Sequence, residues 1–245
     1  MTNDLFFFVI PIVIFCSFIQ SLFGVGLLVF GTPLLLLLGI PFLQALMYLL
    51  PCSLVLSILQ VFEGRRVGEK IPPETRRFFL ISLPLLFVGL LFVLLEEHSY
   101  NARVPIGLLL LFNALSRINS FLNMWLQKGV KKYRNVYLGI MGFIHGLTNM
   151  GGGLLTIFAS TLYTGKEKIR FAIAGAYFFF AFSQLIPLLI FKSEIIEARM
   201  LILPILTIAV YYSIGRRVFT RSSEPVYQHM MTFFILLFGV SLIFF

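Results

Sequence analysis

From Leu5 to Phe245 the sequence runs through one apolar stretch after another, and no polar block between them is long enough to build a soluble domain. In a bilayer the backbone must satisfy its own N–H and C=O groups. With 59% hydrophobic and 12% charged residues, against about 25% charged in soluble chains, the sequence is expected to be an all-α membrane protein. Residues 1–245 are read as a single membrane domain with no linker. The start, MTNDLFFFVIPIVIF, carries an acidic residue and lacks both a basic n-region and a small-x-small cleavage site, so it reads as the first membrane segment rather than a signal peptide. Cys16 and Cys52 both lie in apolar runs, where they act as small hydrophobes and not as a disulfide framework.

A net charge of +9 would suggest nucleic acid in a soluble protein. Here fifteen of the nineteen Lys and Arg residues fall in four short loops, 63–77, 128–134, 166–170 and 216–224. That clustering is the positive-inside signature, an orientation signal with no nucleic-acid partner behind it. The hydrophilic segments between them, 96–103 and 192–199, are neutral or slightly acidic and belong on the opposite face.

Apolar segments fall near 5–22, 26–38, 41–62, 78–95 and 103–122, and again near 135–149, 153–164, 169–191, 198–215 and 226–245. The second of each five has only about 12 residues, too few at 1.5 Å per residue to cross a core of roughly 30 Å. Each is therefore a half-helix or a re-entrant piece, leaving about 8–10 transmembrane segments. FIQSLFGVGLL (18–28) and FIHGLTNMGGGLL (143–155) match at Phe, Ile and Leu, with Gln20 facing His145 and Gly24-Val25-Gly26 facing Asn149-Met150-Gly151. The chain reads as two repeats, 1–126 and 134–245. The third segment of the first copy ends in a strongly basic loop and that of the second in a neutral one, so the repeats are inverted and both termini belong outside the cytoplasm. Inverted repeats with broken helices are the layout of secondary transporters, whose substrate sits near midplane where the breaks meet.

Unwound backbone survives in a bilayer only against protein or a polar cavity, since each unpaired group costs several kcal/mol. After each break a half-helix begins, near Leu27 and near Leu154. Its free N–H groups and the positive end of its dipole make an anion site without a cationic side chain, and glycine lets the ligand approach that backbone closely. Gly24, Gly26, Gly151, Gly152 and Gly153 are the candidate turn residues. The other reading is that these glycines are small-residue packing contacts between helices.

SLFGVGLLVFGTPLL and HGLTNMGGGLL, each opening a half of the chain, resemble the twin signatures of the sulfite/sulfonate exporter (TauE/SafE) family. That family's pattern is roughly G-x-x-G-x-G-G-G, four residues, then Pro. Gly24, Gly26 and Pro33 match it in the first copy, and Gly146, Gly151, Gly152 and Gly153 in the second. Leu27 and Leu28 stand where two glycines would, Ser21 and Asn149 replace one each, Phe158 replaces the proline, and of the A-x-x-T-S that follows each half-helix only Ala45 and Ala172 remain. The resemblance implies carriage of small organic or sulfur-containing anions across a bacterial plasma (inner) membrane.

His145 is the one ionisable residue well inside a clear span, and histidine titrates near neutral pH. It is either a coupling or substrate group or a neutral histidine bonded to a neighbouring helix. Gln20, Ser21, Thr148 and Asn149 lie at the breaks as cavity-lining donors. Ser53, Ser57, Ser183 and Gln184 lie in the third segments, where hydroxyls either face the site or bond their own helix. Arg117 sits near the basic 128–134 loop and is expected to snorkel to the interface.

No Asp or Glu lies mid-span, so a carboxylate proton relay has no ligands, while a coupling proton on His145 or a sodium ion held by carbonyls stays open. Metal spacing, a phosphate-binding loop and a nucleophile–base constellation are lacking, so neither a cofactor nor enzyme activity is expected. The reading is a secondary carrier of small anions by alternating access. A passive anion or small-solute channel and a non-transporting membrane subunit are the alternatives. Oligomeric state is not encoded in any of these features.

Overall fold

The computed structural model describes residues 3–96, 101–227, 229 and 233, with backbone alone at 3, 4, 103, 114 and 117. Among the described residues the chain is helical, with no strand. The helices are α1 (Asn3–Phe23), α2 (Leu27–Leu37), α3 (Phe42–Arg66), α4 (Thr75–Leu95), α5 (Arg103–Ile118), α6 (Ser120–Lys132), α7 (Arg134–Thr148), α8 (Gly151–Leu162), α9 (Lys166–Phe191) and α10 (Ala198–Arg221). Five of them, α1, α3, α4, α9 and α10, are long and apolar enough to cross a membrane. The short second segments are present as α2 and α8.

Several expected boundaries move. The basic stretches are mostly helix ends rather than loops. Arg65 and Arg66 close α3, Lys131 and Lys132 close α6, Lys166 opens α9, and α10 continues through Arg216 to Arg221. Cations at a helix end reach the interface without leaving the helix, so charge does not mark the end of a span. The expected 103–122 segment breaks at Ile118, and Asn119 starts a new helix by accepting a hydrogen bond from the Leu122 amide at 3.1 Å. Most of the expected 226–245 segment lies outside the described residues.

Three packings organise the bundle. α3 lies along α9, α1 along α10, and α4 along α7. In the α4–α7 pair the backbones nearly touch. A Cβ added at Gly89 would come 2.5 Å from the Phe143 carbonyl oxygen, and one at Gly142 2.7 Å from the Ser82 Cα. The Ser82 hydroxyl donates to the Leu138 carbonyl at 2.9 Å. Gly146, one of the motif glycines, belongs to this contact, because a Cβ there would strike the backbone of Leu86. Its role is close helix approach, which in lipid supplies the dispersion contacts that a hydrophobic drive cannot. On the other side, Ser17 of α1 shares a hydrogen bond with Thr207 of α10 at 2.9 Å, and Gly215 of α10 packs on the Ser21 side chain.

Candidate functional site at the two helix breaks

α1 ends where Gly24 takes φ +76°, and α7 ends where Asn149 takes φ 62°. Both are left-handed residues that stop a helix, the first a glycine and the second an asparagine, the side chain that best tolerates that region. The amides of Gly24 and Asn149 close the same bond, each donating at 2.8 Å to the carbonyl four residues back, Gln20 and His145 respectively.

The chain then folds back against the helix it has left. A Cβ at Gly26 would come 2.5 Å from the Gln20 nitrogen and 2.8 Å from the Cys16 carbonyl oxygen. One at Gly151 would come 2.6 Å from the His145 Cβ and 3.0 Å from the Met141 carbonyl oxygen. Glycine is required at both points, at Gly26 because backbone meets backbone and at Gly151 because the base of the His145 side chain and the Met141 carbonyl take the space. The first amides of the half-helices are capped from the preceding helix: Leu27 N–H donates to the Gln20 Oε1 at 3.1 Å, and Gly151 N–H to the His145 Nδ1 at 3.2 Å. With Nδ1 accepting, a neutral His145 carries its proton on Nε2.

The third segments finish the job with one glutamine each. Gln60 of α3 donates to the Gln20 carbonyl at 2.6 Å, and Gln184 of α9 donates to the His145 carbonyl at 3.5 Å. Gln20 also donates to the Ser53 hydroxyl at 3.1 Å. The two residues that face each other in the sequence, Gln20 and His145, thus perform the same operation at the two breaks.

The surroundings differ. The first break is closed by charge: Arg170 of α9 donates to the Ser21 carbonyl at 3.0 Å, placing a cation at the negative end of α1. Arg170 also pairs with Glu63 at 2.6 Å, and Glu63 in turn takes Arg216 at 2.8 Å and the Tyr211 hydroxyl. The Phe219 ring lies under the Arg170 guanidinium at 3.4 Å. Gln60, Glu63 and Arg170 are invisible to a search for mid-span polar residues. Their only sequence signal is a polar side chain at helical spacing on the inner face of a helix end.

The second break is rich in unpartnered polar atoms. The His145 Nε2, the Asn149 Oδ1, the Gln184 Oε1, the Tyr177 hydroxyl and both amide atoms of Asn113 are buried without a hydrogen bond. Asn149 does donate through Nδ2 to Thr32 of α2 at 2.9 Å, which ties the second break to the first half-helix. Gly152 sits where the breaks meet. A Cβ there would overlap the Tyr177 hydroxyl and come 2.6 Å from Val29 and 2.8 Å from Val25. Asn113 of α5 lies against Gly153, and a cavity of about 10 Å³ is lined by Asn113, Gly152 and Gly153 together with Val25 and Val29.

Of the expected site residues, the structure brings Gln20, Gly24, Gly26 and Ser53 together at the first break, and His145, Asn149, Gly151, Gly152, Gly153 and Gln184 at the second. Ser57 is buried on α3 with its hydroxyl unpartnered. The hydroxyls of Ser21 and Thr148 donate to their own helices, to Ser17 and Ile144, both at 2.7 Å. Thr148 in addition accepts from the Met150 amide at 3.1 Å, so it caps the turn. The side chain of Arg117 lies outside the described residues.

Compared with known proteins, the chain matches the family described as Sulfite exporter TauE/SafE over residues 9–242. No curated protein and no solved structure matches it.

Proposed function

We propose that this chain, which belongs to the sulfite exporter TauE/SafE family, is a secondary carrier of small sulfur-containing or carboxylate anions, built as one membrane domain of two inverted repeats. The observation that carries the proposal is the second break. There the amino terminus of α8 faces Tyr177, Asn113 and His145, and the Tyr177 hydroxyl, both amide atoms of Asn113 and the His145 Nε2 are buried without a partner. A buried polar group left unpaired costs about 1–3 kcal/mol, so such a cluster is stable only if something else satisfies it for part of the working cycle. A helix amino terminus, a hydroxyl and an amide are donors, and donors without a neighbouring cation suit a small oxyanion.

Two features support the inverted repeat. The matched bonds of Gln20 with Gln60 and of His145 with Gln184 relate the two halves residue by residue. The helix partners are exchanged between halves, since α1 of the first packs on α10 of the second while α7 of the second packs on α4 of the first. With about 10 Å³ between the breaks there is room for roughly one water and not for sulfite. This is a closed form. Opening requires α5, which bears Asn113, to move away from Gly153, as in rocking of one part against another about a fixed site.

Proteoliposomes loaded with unlabelled sulfite and given labelled sulfite outside provide the test, with sulfonates, thiosulfate and short carboxylates as competitors. A carrier shows saturable uptake accelerated by internal substrate. Flux that conducts without such exchange makes the protein a channel, and absence of flux for every anion makes it a non-transporting subunit. Repeating the assay over a pH series and with and without sodium identifies the coupling ion.

A further inference from the structure

On the face marked cytoplasmic by its basic residues, α6 and the start of α7 carry two adjoining hollows of opposite character. One is an apolar groove of about 480 Å³, walled by Leu109 and Phe112 of α5, Trp125 of α6, and Ile140 and Ile144 of α7. The other, about 420 Å³, is lined by Arg77, Lys131, Lys132 and Arg134. They share Tyr133 and Val136, so the groove and the cationic hollow lie side by side. Among the described residues, the acidic group paired with these cations is Glu74, bound by Arg134 at 2.6 Å and Arg77 at 3.4 Å. Lys131 and Lys132 are exposed beyond it. The α6 helix ends in these two lysines, while Phe121, Trp125 and Tyr133 stand more than half exposed beside them.

We infer that this is a binding site for an anionic phospholipid, with the phosphate of its head group on Lys131, Lys132 and Arg77 and an acyl chain in the groove beneath. Neither half suffices. An apolar groove in a membrane protein takes any lipid chain, and basic residues at the cytoplasmic surface attract any anionic head group. A groove beside a cationic hollow selects a molecule carrying both, and Trp and Tyr at the rim hold the level of the head groups. The site adjoins the transport machinery. Leu154, which also walls the groove, is in the first turn of α8, and the Tyr137 hydroxyl donates to its carbonyl at 2.8 Å. A chain in the groove buttresses the half-helix from behind, so the lipid supports α8 in the closed form. This assignment is independent of which anion is carried.

The test uses the full chain in mild detergent, with thermal unfolding followed as phosphatidylglycerol, phosphatidylcholine of matched chains, or inorganic phosphate is added. The site requires stabilisation by phosphatidylglycerol at concentrations several-fold lower than by phosphatidylcholine, and none by phosphate. Lys131→Gln with Lys132→Gln removes the preference between the lipids but keeps the response to phosphatidylcholine. Ile140→Trp, which fills the groove, weakens both responses. Lys70→Gln, a surface charge in another loop, changes neither. Equal stabilisation of the parent chain by the two lipids overturns the proposal. So does a full response to phosphate alone, or a loss of preference in Lys70→Gln as large as in the double variant. Should Ile140→Trp not fold, Gly129→Leu, half-buried on α6 with open space around its Cβ in the same groove, serves instead.

Discussion

Removing the Tyr177 hydroxyl should make the protein more stable and less active. The hydroxyl is fully buried without a partner, and it points at the position where Gly152 would carry a side chain. Leaving such a group unpaired costs about 1–3 kcal/mol, so Tyr177→Phe should raise the unfolding free energy by up to that amount. In a chain of this length each kcal/mol corresponds to roughly 2–4 °C in the unfolding midpoint. Gly152→Ala tests the same space from the other side. Its Cβ would overlap the hydroxyl and sit 2.6 and 2.8 Å from the methyls of Val29 and Val25, overpacking that should cost about 1–3 kcal/mol. Combining the two should recover about half of the alanine penalty or more, because the valine tips can give while a phenol oxygen on a locked ring cannot. The assays are thermal unfolding in detergent and anion uptake into proteoliposomes. A Tyr177→Phe protein that is less stable would show that the hydroxyl has a structural partner. One that transports at the parent rate would show that it does not touch the substrate. Either result removes the argument that places the anion at this break.

Arg170→Gln should destabilise the protein by about 3 kcal/mol or less, since Glu63 keeps Arg216 and Tyr211, and the Glu63→Gln, Arg170→Gln pair should recover part of the loss in chemical unfolding. His145→Gln should fold normally, because a glutamine oxygen can accept from the Gly151 amide as Gln20 accepts from Leu27, whereas His145→Ala should cost about 1–3 kcal/mol by orphaning that amide. If His145 couples a proton, the glutamine variant also loses the pH dependence of transport while exchange persists. Gly146→Ala should abolish accumulation of folded protein in the membrane, as its Cβ meets the backbone of α4. Gly175→Ala, with open space around it, should not. In intact cells an impermeant thiol reagent should label Glu194→Cys but not Lys131→Cys over a low background, since Cys16 and Cys52 are buried. The reverse pattern would sink the topology.

What was legible in the sequence was local. Glycine and asparagine at the breaks impose backbone conformations that few residues adopt, so the alignment of Gly24 with Asn149 and of Gln20 with His145 predicted positions that share a bond pattern. The length of α2 and α8 followed from the same punctuation. Contacts between segments distant along the chain were not legible. In the sequence Arg170 is one more charge in a basic stretch, because the positive-inside rule counts cations near a span end and is blind to one that turns back to cap α1. Asn113 stands in the apolar run GLLLLFNAL, and its polarity there was a usable signal. Windowed hydropathy averages such a residue away, and with it the kink at Ile118 that separates α5 from α6. The divergence from the family motif also has a physical reading. Leu27 and Leu28 replace motif glycines where the first half-helix begins, while Gly152 and Gly153 survive at the second. In the structure the first break is tied by Gln20, Gln60 and Arg170, with the Gln60 Oε1 and Ser57 hydroxyl unpartnered, and the second holds a larger set of unpartnered polar atoms, donors and acceptors both. Leucines stand where the first half-helix opens under its Gln20 cap, whereas at the second any side chain on Gly152 or Gly153 would collide with Tyr177 or Asn113.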